Sequence, residues 1–231
     1  MSLSKAPDHT TLYRFLRRLD ERALLAALNE TVRRVPEPGH DEQGSAATVA
    51  VDATGLAPGA ISTFYVQRTC NRGGEPMPWR KWLKWLIVVD TRRQIVLAQE
   101  ACSGPYNGSA MLRPLVDTAH EVAPLGMVLA DAEFDSERNH RHVRNRLGAM
   151  SVIPAKRGKA TWQVQGYRAQ MRSAFPRQVY RQRALAESVF SAVKRKLSAR
   201  APGRSLEVQR IQALLLGLSY NLYRLRSFLP T

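Results

Sequence analysis

The sequence predicts an α/β fold, one mixed sheet flanked by helices and preceded by a short helical N-terminal segment. Three observations carry this. Short β-rich runs recur between residues 47 and 155, and from residue 109 onward they alternate with stretches of helical period. Two of the runs, Trp82–Asp90 and Gln94–Cys102, are joined only by Thr91-Arg92-Arg93, a spacing suited to an antiparallel hairpin. The later runs are separated by helices, and a sheet that combines both kinds of connection is mixed.

Taken in order, Thr10–Arg34 reads as helix, with Leu12, Phe15, Leu16, Leu19, Leu24, Leu25 and Leu28 spaced near the helical period and a break near Asp20. PEPGHDEQGS (36–45) is a linker by composition, so residues 1–45 are expected to form a helical N-terminal segment and 46–231 the main domain. Ala47–Thr54 is the first strand. Residues 56–81, rich in Gly and Pro, read as a loop with an irregular strand. After the hairpin come a loop (103–108), a helix at Ser109–Ala123 with Pro114 in its first turns, and a strand at Gly126–Asp131. A helix at Ser136–Gly148 follows, with Gly148 as its stop, and then a strand at Ala149–Ala155. Residues 156–179 read as basic and irregular. Helices are expected at Arg181–Ala199 and Leu206–Phe228, the latter with an apolar stripe of Ile211, Leu214, Leu215, Leu218, Leu222 and Leu225 for core packing.

The formal charge of the 231 residues is +16, and its distribution is one-sided. Residues 135–231 hold 20 Lys and Arg against 4 Asp and Glu, whereas residues 1–134 hold 15 of each. Basic charge concentrated in this way suits a polyanion, and nucleic acid is the expected partner rather than a membrane. No apolar run approaches the ~18 residues of a membrane span. Cys70 and Cys102 form neither a CxxC pair nor a disulfide framework, which places the chain in a reducing cytoplasm. The five His residues show no metal-ligand spacing. Trp79, Trp82 and Trp85 read first as sheet packing and second as a base-stacking surface.

Three acids occupy particular places. Asp52 nearly ends the first strand, Asp131 ends the fourth, and Glu187 lies on the helix after the fifth. In open α/β sheets chemistry gathers at strand ends, and if the first and fourth strands are neighbours the two aspartates converge. Carboxylates brought together repel one another, and a divalent cation relieves that cost. Hard oxygen ligands suit Mg²⁺, with Mn²⁺ as a substitute. Two such ions about 4 Å apart can hold the attacking and leaving oxygens of a phosphodiester in line. Each acid also has a plainer reading. Asp52 can cap a turn, and Asp131 can be a solvated strand end. Glu187 can form an i,i+4 pair with Arg183 worth only ~0.3–0.5 kcal/mol. Glu133 and Asp135 compete with Asp131; Asp131 ranks first because it directly ends the apolar run, with Asp135 as a support behind it.

Around Glu187 the spacing is Y-x2-R-x3-E-x6-K, from Tyr180 through Arg183 and Glu187 to Lys194. On a helix, Arg183, Glu187 and Lys194 share one face. The carboxylate can face a metal while the two cations grip phosphates on either side. Arg195, Lys196, Arg200 and Arg204 extend the basic track along DNA.

This spacing resembles the signature of insertion-sequence DDE transposases, in the group typified by insertion sequences four and five. AVDATGL around Asp52 resembles that family's first block. WRKWLKWLIVVDTRRQIVLAQEACSG resembles its hairpin and the strand into a Gly-rich loop, LADAEFDS around Asp131 its second block, and VIPAKRG its fifth strand. The ordered set covers about residues 46–225. The resemblance implies a ribonuclease-H-like fold and a Mg²⁺-dependent transposase with Asp52, Asp131 and Glu187 as its catalytic triad. It also implies a homodimer on double-stranded DNA, both transposon ends and target, associated with the nucleoid. The chain departs from the pattern at Asn107-Gly108, where the family often has His-Asp, and at Glu133, where it usually has Gly. About 45 residues precede the first block, fewer than the family often carries. Two alternatives stay open, a metal-dependent nuclease or resolvase of the same fold and an inactive DNA-binding remnant.

Overall fold

The structure, a computed structural model, describes residues 8–35, 46–58, 82–104, 108–156, 165–203 and 205–228. Trp79, Cys70, His40, Asn107, Arg204, the 36–45 linker and most of the loop read at 56–81 lie outside the described residues.

Strand β1 (Ala47–Leu56) is the hub of the sheet. On one side it pairs antiparallel with β2 (Leu83–Asp90), which pairs antiparallel with β3 (Ile95–Ser103). On the other side it pairs in parallel with β4 (Leu125–Ala130), which pairs in parallel with β5 (Met150–Val152). The order is β3-β2-β1-β4-β5, the mixed sheet expected from the hairpin and the later crossovers. Every residue of β2 is buried, as a strand with both faces covered requires. Asp90 closes the hairpin by accepting from the backbone N–H of Arg92 and Arg93 and from Arg93 Nε.

The predicted break near Asp20 is real. Helix α1 (His9–Leu16) ends before it, and α2 (Glu21–Arg34) starts on it, with the Asp20 side chain accepting from Arg22 N at 3.1 Å. Such a cap is worth about 1 kcal/mol. Helix α2 then buries Leu28 and Val32 against the sheet. One face of the sheet is covered by α3 (Leu112–Val122) through Leu112, Leu115, Val116 and Ala119. The other face is covered by α7 (Ala184–Lys196) and α8 (Leu206–Leu225), through Ala186, Val189, Phe190, Val193, Ala213 and Tyr220.

Several expectations need correction. The segment read as irregular contains α5 (Gly166–Ser173) and α6 (Arg177–Tyr180). The helix expected at 136–148 is α4 (Glu137–Arg141) followed by a π turn at His142–Arg146, and β5 is only three residues long. Helix α7 starts at Ala184, after a 3₁₀ turn over Arg181–Arg183, so Arg183 sits at its N-cap. In α8, Ile211 and Leu214 are buried as expected but Leu222 is 54% exposed. Its neighbour Asn221 is buried instead, accepting from Val96 N and donating to Val96 O at 2.8 Å each. A helix side chain thereby satisfies the outward N–H and C=O of Val96 near the start of edge strand β3. Trp85 is fully buried, edge-on to Phe190 at 5.4 Å, and donates to Gln99 Oε1. Packing rather than base stacking accounts for it.

Candidate active site

Parallel pairing of β1 with β4 brings the first two acids side by side. The last paired residues are Val51 and Ala130, so Asp52 and Asp131 occupy the next position on adjacent strands, whose backbones lie roughly 4.8 Å apart. Each is oriented by a backbone N–H immediately after it. Asp52 Oδ1 accepts from Ala53 N at 2.9 Å, and Asp131 Oδ1 from Ala132 N at 2.6 Å. Helix α7 runs alongside β1 and delivers the third acid. Arg183, ahead of its first turn, donates from Nη1 to Asp52 Oδ2 at 3.0 Å and from Nη2 to Glu187 Oε1. Further along, Lys194 Nζ donates to Thr54 Oγ1 at 2.6 Å, two residues beyond Asp52 on β1.

The electrostatics follow from this packing. Burial pushes the Asp52 carboxyl above its ordinary value, Asp131 and Glu187 push the same way, and Arg183 opposes them. The Arg183 guanidinium is held above its ordinary value, because Asp52, Tyr180, Glu187 and Asp131 outweigh its burial. Tyr180 is half-buried, edge-on to Phe175 at 4.9 Å, with Arg183 5.8 Å from its ring centroid, and burial raises its phenol. Arg195, Lys196 and Arg200 are exposed beyond the acids. Lys196 lies 4.2 Å from the Tyr223 ring centroid, and the backbone of Arg200 bridges to Ala57, next after β1.

Among the described residues no three His, Cys, Asp or Glu side chains form a ready metal cage. The guanidinium of Arg183 instead bridges Asp52 and Glu187. The donor set nevertheless suits a hard divalent cation. It is all carboxylate, Glu187 is 56% exposed on a long side chain, and burial already disfavours the charge on Asp52.

The competitors of Asp131 have other partners. Asp135 is buried and receives Arg168 Nε at 2.7 Å, Arg168 Nη2 at 2.6 Å and Lys156 N at 2.8 Å. Burial raises its carboxyl, but these donors and His140 outweigh that and hold it far below the ordinary carboxylate range. Glu133 accepts from Lys84 Nζ and from Gly108 N at 2.8 Å. Burial opposes its ionisation, and the two donors more than reverse that. Sequence reading missed this Lys84–Glu133 pair. The signal was a lone cation inside the apolar run WLKWLIVVD. Residues 108 and 133, where the chain departs from the pattern it resembles, are thus in contact.

No helix among the described residues is long and apolar enough to cross a membrane. No curated protein matches the sequence. Among solved structures, the cryo-EM structure of piggyBac transposase synaptic complex with hairpin DNA matches with a TM-score of 0.53 at 11% identity. The match covers 95% of this chain and 54% of that one, so this chain spans about half of its length. At that identity the likeness concerns the fold, which is ribonuclease-H-like. The family model described as transposase DDE domain matches residues 43–222, from just before β1 into α8, and so takes in all the acids and cations gathered above. By that match the chain belongs to the transposase DDE domain family.

Proposed function

We propose that the chain is a DNA transposase that cuts at insertion-sequence ends and joins the freed 3′-hydroxyl to target DNA. Tyr180, Arg183, Glu187 and Lys194 act as the signature of the group typified by insertion sequences four and five. Asp52, Asp131 and Glu187 are the ligands of Mg²⁺, or of Mn²⁺ in its place. Residues 46–231 form the catalytic domain, on which the helices of residues 1–45 pack. The observation that carries the reading is one guanidinium, that of Arg183, held between Asp52 of β1 and Glu187 of α7, with Asp131 of β4 at the matching position on the strand beside Asp52.

Bound divalent ions supply activation of water or of a 3′-hydroxyl and stabilisation of the departing oxygen. The protein supplies position and charge. Asp52 and Asp131 are fixed by backbone N–H groups, whereas Glu187, on an exposed helix face, can swing. Arg183 and Lys194 flank the acids and can take phosphate oxygens on either side of the scissile bond. Arg195, Lys196 and Arg200 carry the strand onward. Cutting and joining two ends needs two such sites, hence a homodimer assembled on DNA.

The test is cleavage and joining of DNA carrying the element's own ends in Mg²⁺ or Mn²⁺. Wild type gives both products, and Glu187→Gln lowers cleavage by about 10³-fold. Cleavage without joined product selects the hydrolytic nuclease. DNA binding unaffected by Asp52→Asn, with no cleavage in Mn²⁺, selects the inactive remnant.

A further inference from the structure

We propose that the Lys84–Glu133 ion pair positions Asp131, and that residue 108 is the alternative seat for the carboxylate of that pair. Lys84 lies in the fully buried strand β2, and its side chain is only 6% exposed. Glu133 lies in the 3₁₀ turn Ala132–Phe134, which begins directly after Asp131. Its Oε1 receives both Lys84 Nζ and Gly108 N, so β2, the turn at 108–111 and the turn after β4 meet at one oxygen.

The link to the acid is short. Asp131 Oδ1 is held by Ala132 N–H, and Ala132 is the first residue of the turn that Glu133 ties down. Fixing Glu133 on Lys84 therefore fixes the donor that aims Asp131. The buried cation is the constant partner, and the acid can come from either of two directions. A Cβ at Gly108 would stand 3.0 Å from Lys84 Nζ and 3.1 Å from Glu133 Oε1. An aspartate there lies against Lys84, whose side-chain end must give by a few tenths of an ångström, and it crowds the carboxylate of Glu133. A side chain at position 108 and the carboxylate of Glu133 thus compete for one place beside Lys84.

The inference rests on the proposed metal site, and the test separates the two. Mn²⁺ binding is titrated by electron paramagnetic resonance on the full chain, with thermal melts alongside. The variants are Asp131→Asn, Glu133→Gln, Glu133→Gly, Gly108→Asp and the exchange Glu133→Gly with Gly108→Asp. Both Glu133 variants are expected to raise the half-saturating Mn²⁺ concentration about 10–100-fold, as loss of a ligand-orienting partner does. The exchange recovers most of that loss, and Gly108→Asp alone weakens binding. Glu133→Gln keeps the side-chain volume and the Gly108 contact, so it carries the test if Glu133→Gly does not fold. Unchanged Mn²⁺ affinity in the Glu133 variants overturns the proposal. So does an exchange that restores the melting temperature without restoring Mn²⁺ affinity, since the pair is then structural only. Wild-type Mn²⁺ affinity in Asp131→Asn removes the metal site itself, and this inference with it.

Discussion

Arg183 occupies the space between Asp52 and Glu187 that the proposed reaction assigns to a cation. In the structure it neutralises these two acids, and in the proposed reaction its guanidinium is wanted on a phosphate once DNA is bound. Arg183→Gln is therefore expected to raise Mn²⁺ affinity of the DNA-free protein about tenfold, the equivalent of one charge-assisted hydrogen bond of about 1.5 kcal/mol. DNA cleavage by the same variant falls. Calorimetry that finds Mn²⁺ binding unchanged or weaker removes Arg183 as the competitor. Asp52 gives a second prediction. Its carboxyl is raised, chiefly by burial, so between the ordinary value of 3.8 and the raised one the folded state holds more protons than the unfolded. Metal-free stability from this group is complete below 3.8 and is lost as pH rises through the raised value. Asp52→Asn should flatten that part of the urea-midpoint profile, and an unflattened profile assigns the slope elsewhere. These acids were legible as neighbours because strand ends and helical spacing place them. Glu133 and Lys84 were not, because their contact spans 49 residues of chain and leaves no periodic trace.

At the scale of elements, α5 shows what pattern reading cannot see. GYRAQMRS buries only Met171, so no apolar stripe announces a helix. Tertiary contacts hold it instead. Glu137 of α4 accepts from the free N–H groups of Tyr167 and Arg168 at 3.3 and 3.2 Å, and Arg168 forms a two-pronged pair with buried Asp135. Arg144, on the π turn, stacks 4.6 Å from the Tyr167 ring centroid and donates to Gln170. The strands and the long helices, by contrast, bury enough apolar area to write their periods into the sequence. Breaking the Asp135 pair leaves a buried charge without its partner. Arg168→Met should cost about 3–5 kcal/mol in urea unfolding and loosen α5 by hydrogen exchange. Because the Asp135 carboxyl is depressed, its stabilisation is present above 3.8 and is lost as pH falls through the folded value. Arg168→Met is therefore expected to differ from wild type most at neutral pH and least in strong acid. A pH-independent difference assigns its cost to packing.

Over the whole molecule, charge and fold are divided differently along the chain. The three antiparallel strands come from the half in which Lys and Arg balance Asp and Glu, and the excess of +16 follows residue 134. The exposed cations Arg195, Lys196 and Arg200 therefore lie on and just beyond the helix that carries Glu187, and they continue past Lys194 along the line of β1. A track of this kind binds by releasing counterions, so affinity falls steeply with salt and each phosphate contact contributes about 0.9 to the slope of log K against log salt. Arg195→Ala and Arg200→Ala should each reduce that slope by about one and weaken binding to different DNA sequences alike. Neither residue touches the acids, so Mn²⁺ affinity without DNA stays at the wild-type value in both. Arg14→Ala, on exposed α1 in the balanced half, should leave the slope unchanged. If Arg14→Ala lowers the slope as much as Arg195→Ala does, DNA lies across the N-terminal helices as well, and the track beside Glu187 is not its main path.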